Sequence, residues 1–147
     1  MVSEPGRRIV DEELQGEGRA LPWVNMAAFA ERAIELAAAD RKHLASETGW
    51  VFFDRGLVDA AVALQHATGK SIHDTLAPFE RYHTRVFLAP PWPEIYAADE
   101  SRRHDLAEAI AEYDRLLNAF HELNYEIIIV PKGSVQARAD FVRGHFA

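Results

Sequence analysis

Three short strand-like runs, each halted by a polar residue or a proline and each followed by a helical pattern, most constrain what this chain can fold into. Trp50-Val51-Phe52-Phe53 stops at Asp54. Thr84 to Leu88 runs into Ala89-Pro90-Pro91-Trp92-Pro93, and Tyr125 to Val130 is broken by Pro131. An unbroken apolar run suits a parallel strand covered on both faces, and proline cannot continue a central strand. Between the runs the spacing changes to three and four. Leu106, Ala109, Ile110, Tyr113, Leu116, Leu117 and Phe120 make one stripe, which predicts a helix over Ser101–Leu123.

The remaining segments follow the same alternation. Val2 to Glu4 reads as the tail of a strand turning at Pro5-Gly6, and Arg7 to Leu14 as a short helix ended by Gly16 and Gly18. Asn25 can cap an Ala-rich helix reaching about Leu44, with Phe29, Ala33, Leu36 and Ala37 on one face. Val58 to His66 and Ile72 to Arg81 are two further helices, and Ser134 can cap a last one carrying Val135, Phe141 and Val142. Strands alternating with helices predict an α/β fold with a mostly parallel sheet flanked by helices. Ligands are then expected at the carboxyl ends of the strands. Residues 1–147 read as a single domain without repeats or a linker.

Composition removes several classes of function. At 48% hydrophobic and 27% charged residues, the chain can bury a core and stay soluble. Its apolar runs are far shorter than a membrane span, and the absence of cysteine excludes a disulfide, a thiolate zinc site and a cysteine nucleophile. The cytoplasm is the expected location. A net charge of -7 disfavours nonspecific nucleic-acid binding, which needs clustered cations. It does not exclude a single nucleotide, for which the local clusters Arg7-Arg8 and Arg102-Arg103 suffice. The seven histidines are scattered and form no HExxH pair, and there is no G-x-S-x-G.

Polar residues fall where the strands should end, at Glu4, Asp54 and Lys132. A carboxylate directly after a buried strand, as at Asp54, can hold Mg²⁺ through water or orient an attacking hydroxyl. The adjacent Arg55 offers a planar fork for phosphate. The plainer alternatives are a helix-capping Asp54 with a surface Arg55, and a Glu4 that only occupies an exposed turn. Arg102 and Arg103 open a helix against its macrodipole, either for a ligand or within a surface network with Asp99 and Glu100. Trp23 and Trp92 sit beside prolines, as hydrophobic plugs or as platforms for a base. The phosphate cradle G-x-x-x-x-G-K-[ST] is not in the sequence. Its nearest approach, Leu64 to Ser71, has Leu64 at the first glycine position and reads as a helix end and loop.

Four segments in order, Ser3-Glu-Pro-Gly-Arg-Arg-Ile-Val10, Phe52-Phe-Asp-Arg-Gly-Leu-Val-Asp59, Phe87 to Arg103 and Val130 to Val142, resemble the kinase-like P-loop ATPases grouped with the nicotinamide-riboside kinase (NadR-type) AAA domain. The resemblance covers nearly the whole chain. It implies a three-layer P-loop kinase-like fold, with ATP and Mg²⁺ as cofactors and a small-molecule acceptor or nucleotide as partner. Glu4, Asp54 and Arg55 would be the catalytic residues, with Asp54 as metal ligand. Glu4 would be the base, as the Glu-Pro of deoxynucleoside kinases is, and Arg102 and Arg103 would belong to a phosphate-closing lid. The family's first strand, phosphate loop and helix would need roughly 20–30 residues ahead of Met1, so the chain is expected to be N-terminally truncated relative to the family. Loss of a central strand would part its neighbours by ~10 Å and leave open edges that favour self-association. The expected function is phosphoryl transfer in a full-length form, with little activity in these 147 residues. A noncatalytic ligand- or protein-binding remnant is the alternative.

Overall fold

The computed structural model describes residues 1–96 and 100–146, with the side chains of 95, 96 and 100–104 outside the description. The chain divides into two compact units, Met1–Glu80 and Arg81–Ala147.

The first unit is helical. Its helices are α1 (Pro5–Gln15), α2 (Met26–His43), α3 (Leu57–Thr68) and the short α4 (Ile72–Leu76). Pro5 occupies the first helical position of α1, where its missing N–H is not needed and its fixed φ suits the helix. Asn25 caps α2 as expected, its side-chain oxygen accepting from the Ala28 N–H at 3.0 Å. On α2 the buried residues Ala30, Ala33 and Ala37 are all small. That lets α3 pack closely with its larger buried face of Leu57, Val58, Val62 and Leu64. Ile9 of α1, fully buried, meets Ala33 and Ala60 in the core, with Phe29, Ile34 and Leu36 packed against them. Polar ties reinforce this packing: Arg8 reaches Asp40 of α2, and Arg32 of α2 reaches Glu12 and Glu13 of α1.

Strand structure in this unit is minimal. Val2 and Phe53 form an isolated parallel bridge through two hydrogen bonds, Val2 N–H to Phe52 O at 2.7 Å and Asp54 N–H to Val2 O at 3.0 Å. The expected strand over Trp50–Asp54 is reduced to this bridge.

In the second unit β1 (Arg85–Leu88) and β2 (Glu126–Ile129) pair in parallel, Arg85 opposite Glu126 and Leu88 opposite Ile129. The helix α5 (Glu100–Glu122) lies between them in sequence, matching the expected span to within a residue at each end. Leu116, Ala119 and Phe120 of α5 are buried, as are Leu88, Tyr125 and Val130. Phe120 meets Tyr125 edge to face at 5.4 Å, and the Arg81 guanidinium lies 4.3 Å from the Tyr125 ring centre. The last helix, α6 (Val135–Gly144), is capped by Ser134, whose hydroxyl accepts from the Ala137 N–H at 3.0 Å.

The mixture of helices with a small parallel sheet is α/β. The expected pairing of Trp50–Phe53 with Tyr125–Val130 in one sheet is not among the described pairings. The described sheet has two strands, β1 and β2, and in the first unit Phe53 pairs with Val2. Apolar character alone makes a run suitable for a sheet without naming its neighbour. Helix α4 also stops at Leu76, short of the Arg81 expected. Among the described residues no helix is long and apolar enough to cross a membrane.

Leu57 is 1% exposed, so Leu57→Ala should cost about 2–5 kcal/mol, the range for a truncated core leucine. Urea denaturation of the first unit's signals measures this, and a loss below ~1 kcal/mol would mean that α3 does not pack as described.

Candidate functional site

The bridge sets the geometry of the expected site. Because Val2 pairs beside Phe53, the two strand-end segments, Glu4-Pro5-Gly6-Arg7 and Asp54-Arg55, leave the same end of one parallel pair. Glu4 lies between two guanidinium groups, with Arg7 Nε 3.7 Å from one carboxylate oxygen and Arg55 Nε 3.8 Å from the other. Glu4, Asp54 and Arg55 are therefore brought to one place, and Arg7 joins them.

Glu4 has the non-helical backbone of an N-cap but makes no side-chain capping bond. Its carboxylate is placed favourably near the positive end of α1 and remains available for other partners. Gly6 makes room for that placement. A Cβ there would come within 3.1 Å of Glu4 Oε1 and of Phe29 Cζ, tighter than ordinary contact. Arg8 does not belong to the cluster. It turns inward to Asp40 and also donates to the Ser3 carbonyl at 3.3 Å, and the hydrogen bond to Asp40 raises its pKa further. The paired arginines thus divide, Arg8 tying α1 to α2 and Arg7 left 87% exposed at the site.

Asp54 is exposed, and its side chain has no hydrogen-bond partner among the described residues. The plain alternative of a cap for the next helix does not describe it. The α3 N-cap is Gly56, and Asp59 reaches back to the Gly56 N–H at 3.0 Å. Arg55 has φ 62°, the left-handed region that non-glycine residues enter at a cost. This conformation sets the direction in which Arg55 leaves the strand end, and nothing in the sequence announced it.

The segment nearest to a phosphate loop is a helix end. Gly69 is the left-handed C-cap of α3 at φ 82°, the Lys70 N–H bonds Thr68 Oγ1 at 3.2 Å, and Ser71 caps α4 by accepting from the His73 N–H. Two of its backbone donors are engaged internally, which is not the arrangement of an anion cradle. The described residues also contain no group of three or more His, Asp or Glu able to hold a metal. Asp54 could offer a single carboxylate to Mg²⁺, which ordinarily needs phosphate oxygens and water besides.

In the second unit Lys132, just past β2, pairs with Glu94 at 3.0 and 3.2 Å. The Glu94 carboxyl is held below the usual range first by its own backbone N–H and then by Lys132. Trp92 lies under the Arg138 guanidinium at 5.3 Å, an intramolecular platform, whereas Trp23 is 67% exposed and plugs nothing. Arg102 and Arg103 fall in the first turn of α5, and the expected lid role of their side chains lies outside the described residues.

A family model for an AAA domain matches residues 1–138. The chain belongs to that family and is a P-loop NTPase-like, nucleotide-binding type of domain. Neither curated proteins nor solved structures give a match.

Two measurements follow from this geometry. Arg55→Gly removes the guanidinium but favours the same backbone, so relief of about 1–2 kcal/mol should offset the ~0.5–1 kcal/mol entropic cost of glycine. Thermal unfolding should therefore move little, whereas Arg55→Val should lower the midpoint clearly. In an NMR titration, the Glu94 carboxyl should show its midpoint below that of an ordinary glutamate. Lys132→Ala should restore only part of the difference, because the larger cause is the backbone N–H.

Proposed function

We propose that Glu4, Asp54 and Arg55 form the acceptor side of a phosphoryl-transfer site in a nicotinamide-riboside-kinase-like P-loop ATPase. The observation that carries this reading is the convergence of the two strand-end segments, with Glu4 held within 4 Å of both Arg7 and Arg55. A small hydroxyl acceptor would approach Glu4, which would take its proton as the oxygen attacks the terminal phosphorus of ATP and the bond from that phosphorus to the departing ADP oxygen breaks. Arg55 and Arg7 then exchange Glu4 for phosphate oxygens, a better partner for a guanidinium fork. Asp54, free of capping duty, would steady the acceptor or one Mg²⁺ position.

Within these 147 residues the donor side does not fit. A glycine-rich loop supplies a concave set of backbone N–H donors, a lysine and a hydroxyl, and the one segment resembling it is occupied as a helix cap. Two flexible arginines do not substitute, since each loses up to ~2 kcal/mol of rotamer entropy when fixed. Three or four missing charge-assisted bonds at ~1.5–3 kcal/mol each lower affinity by several powers of ten. The same observation favours a second reading, a ligand-binding module without turnover, which differs in that no acceptor would be phosphorylated under any condition.

The chain should bind Mg-ATP only in the millimolar range, with amide shifts centred on Arg7, Asp54 and Arg55. Arg55→Gly, which keeps the fold, should weaken that binding about tenfold, or ~1.4 kcal/mol. Micromolar affinity would contradict the account of the missing cradle, and shifts confined to other residues would overturn the site.

A further inference from the structure

The groove between α2, the carboxyl end of α3 and α4 has no part in the site above. It has a volume of about 790 Å³, within the range of small-molecule sites. Glu31 and Glu35 line it from α2, one turn apart. Like charges at that spacing repel, and neither carboxylate has an ion pair or a side-chain hydrogen bond among the described residues. The opposite side is the end of α3, Thr68 and Gly69, where the helix dipole places partial negative charge. Lys70 supplies one positive charge against two carboxylates and that helix end.

The other walls define the body of the ligand. Ile34, Leu64 and Phe79 are apolar, and Leu64 and Ile34 continue into the core. Thr75 also lines the groove. It is 6% exposed, and its hydroxyl has no hydrogen-bond partner among the described residues. A desolvated oxygen of this kind is costly to leave unpaired, and a ligand N–H would satisfy it. This second observation separates the groove from a merely acidic surface.

We propose that this groove binds an organic ammonium ion carried on an apolar body, with the cation between Glu31, Glu35 and the carbonyl end of α3 and the body against Ile34, Leu64 and Phe79. An anion of the same shape is rejected, because it would meet two carboxylates and the negative end of a helix.

Phenylethylamine and phenylacetate serve as probes of matched shape and opposite charge, titrated into the full chain at neutral pH and followed by amide and methyl NMR. Phenylethylamine should shift the signals of Ile34, Leu64, Lys70 and Thr75, and phenylacetate at equal concentration should not. Glu31 and Glu35 are exposed, so the double variant Glu31→Gln, Glu35→Gln should keep its fold and bind the amine about tenfold more weakly. Lys70→Gln should bind the amine at least as tightly as the unaltered chain. The proposal is overturned by equal binding of both probes, by unchanged affinity in the double variant, by weaker amine binding in Lys70→Gln, or by no response at ~10 mM amine. None of these outcomes depends on Mg-ATP binding, so this proposal and the phosphoryl-transfer reading fail separately.

Discussion

Two backbone hydrogen bonds, from Val2 to Phe52 and from Asp54 to Val2, are what the candidate site depends on. They hold a four-residue segment ahead of α1 in parallel with the segment ahead of α3. Glu4, Arg7, Asp54 and Arg55 all leave from one end of that pairing. Without it Glu4 would be an exposed turn residue and Arg55 a surface arginine. The helices beneath make the pairing worthwhile: Ile9 and Phe29 anchor the start of α1 and α2, and Leu57 anchors the start of α3. Each helix start is thereby fixed relative to its strand end.

The first unit also shows how local satisfaction decides which groups remain for chemistry. Asp59 takes the capping position that a reader would assign to Asp54, and Asp40 withdraws Arg8 from the arginine pair. What remains at the strand ends is a carboxylate between two guanidiniums and a second carboxylate, unpaired among the described residues. At the end of α3 the reverse holds. A glycine-lysine-serine sequence that suggests phosphate binding has spent two of its backbone donors, the Gly69 N–H on the Gln65 carbonyl and the Lys70 N–H on the Thr68 hydroxyl. An anion site is defined by the direction of its N–H groups rather than by composition.

Several features were legible in the sequence because their causes are local. The caps Asn25 and Ser134 needed only a short polar side chain ahead of a helical stripe, and α5 announced itself by seven apolar residues on one face. The ends of β1 and β2 followed from prolines and from the alternation of pattern. Four ordered segments carried the resemblance to an AAA-domain, P-loop-like family, and the match over residues 1–138 agrees at that level. Features with nonlocal causes could not be read. The partner of Phe53 depends on where Val2 is carried, the inward turn of Arg8 on the position of Asp40, and the left-handed backbone of Arg55 on the exit angle into α3. The α2–α3–α4 groove left no motif, since its residues come from positions 31 to 79 and converge only through packing.

The brevity of the Val2 pairing has a consequence for how the cluster behaves in time. An isolated bridge of two hydrogen bonds opens far more readily than the buried α2–α3 interface, so the segment carrying Glu4 forms a low-stability foldon on a persistent scaffold. The assembled cluster is then one side of a local equilibrium, and any ligand reading Glu4 together with Arg55 binds with an affinity scaled by the closed fraction. Hydrogen exchange at Val2 and Asp54 would report that fraction directly. Whatever clamps the Val2 segment in place acts on the cluster as a positive effector, even without touching Glu4 or Arg55.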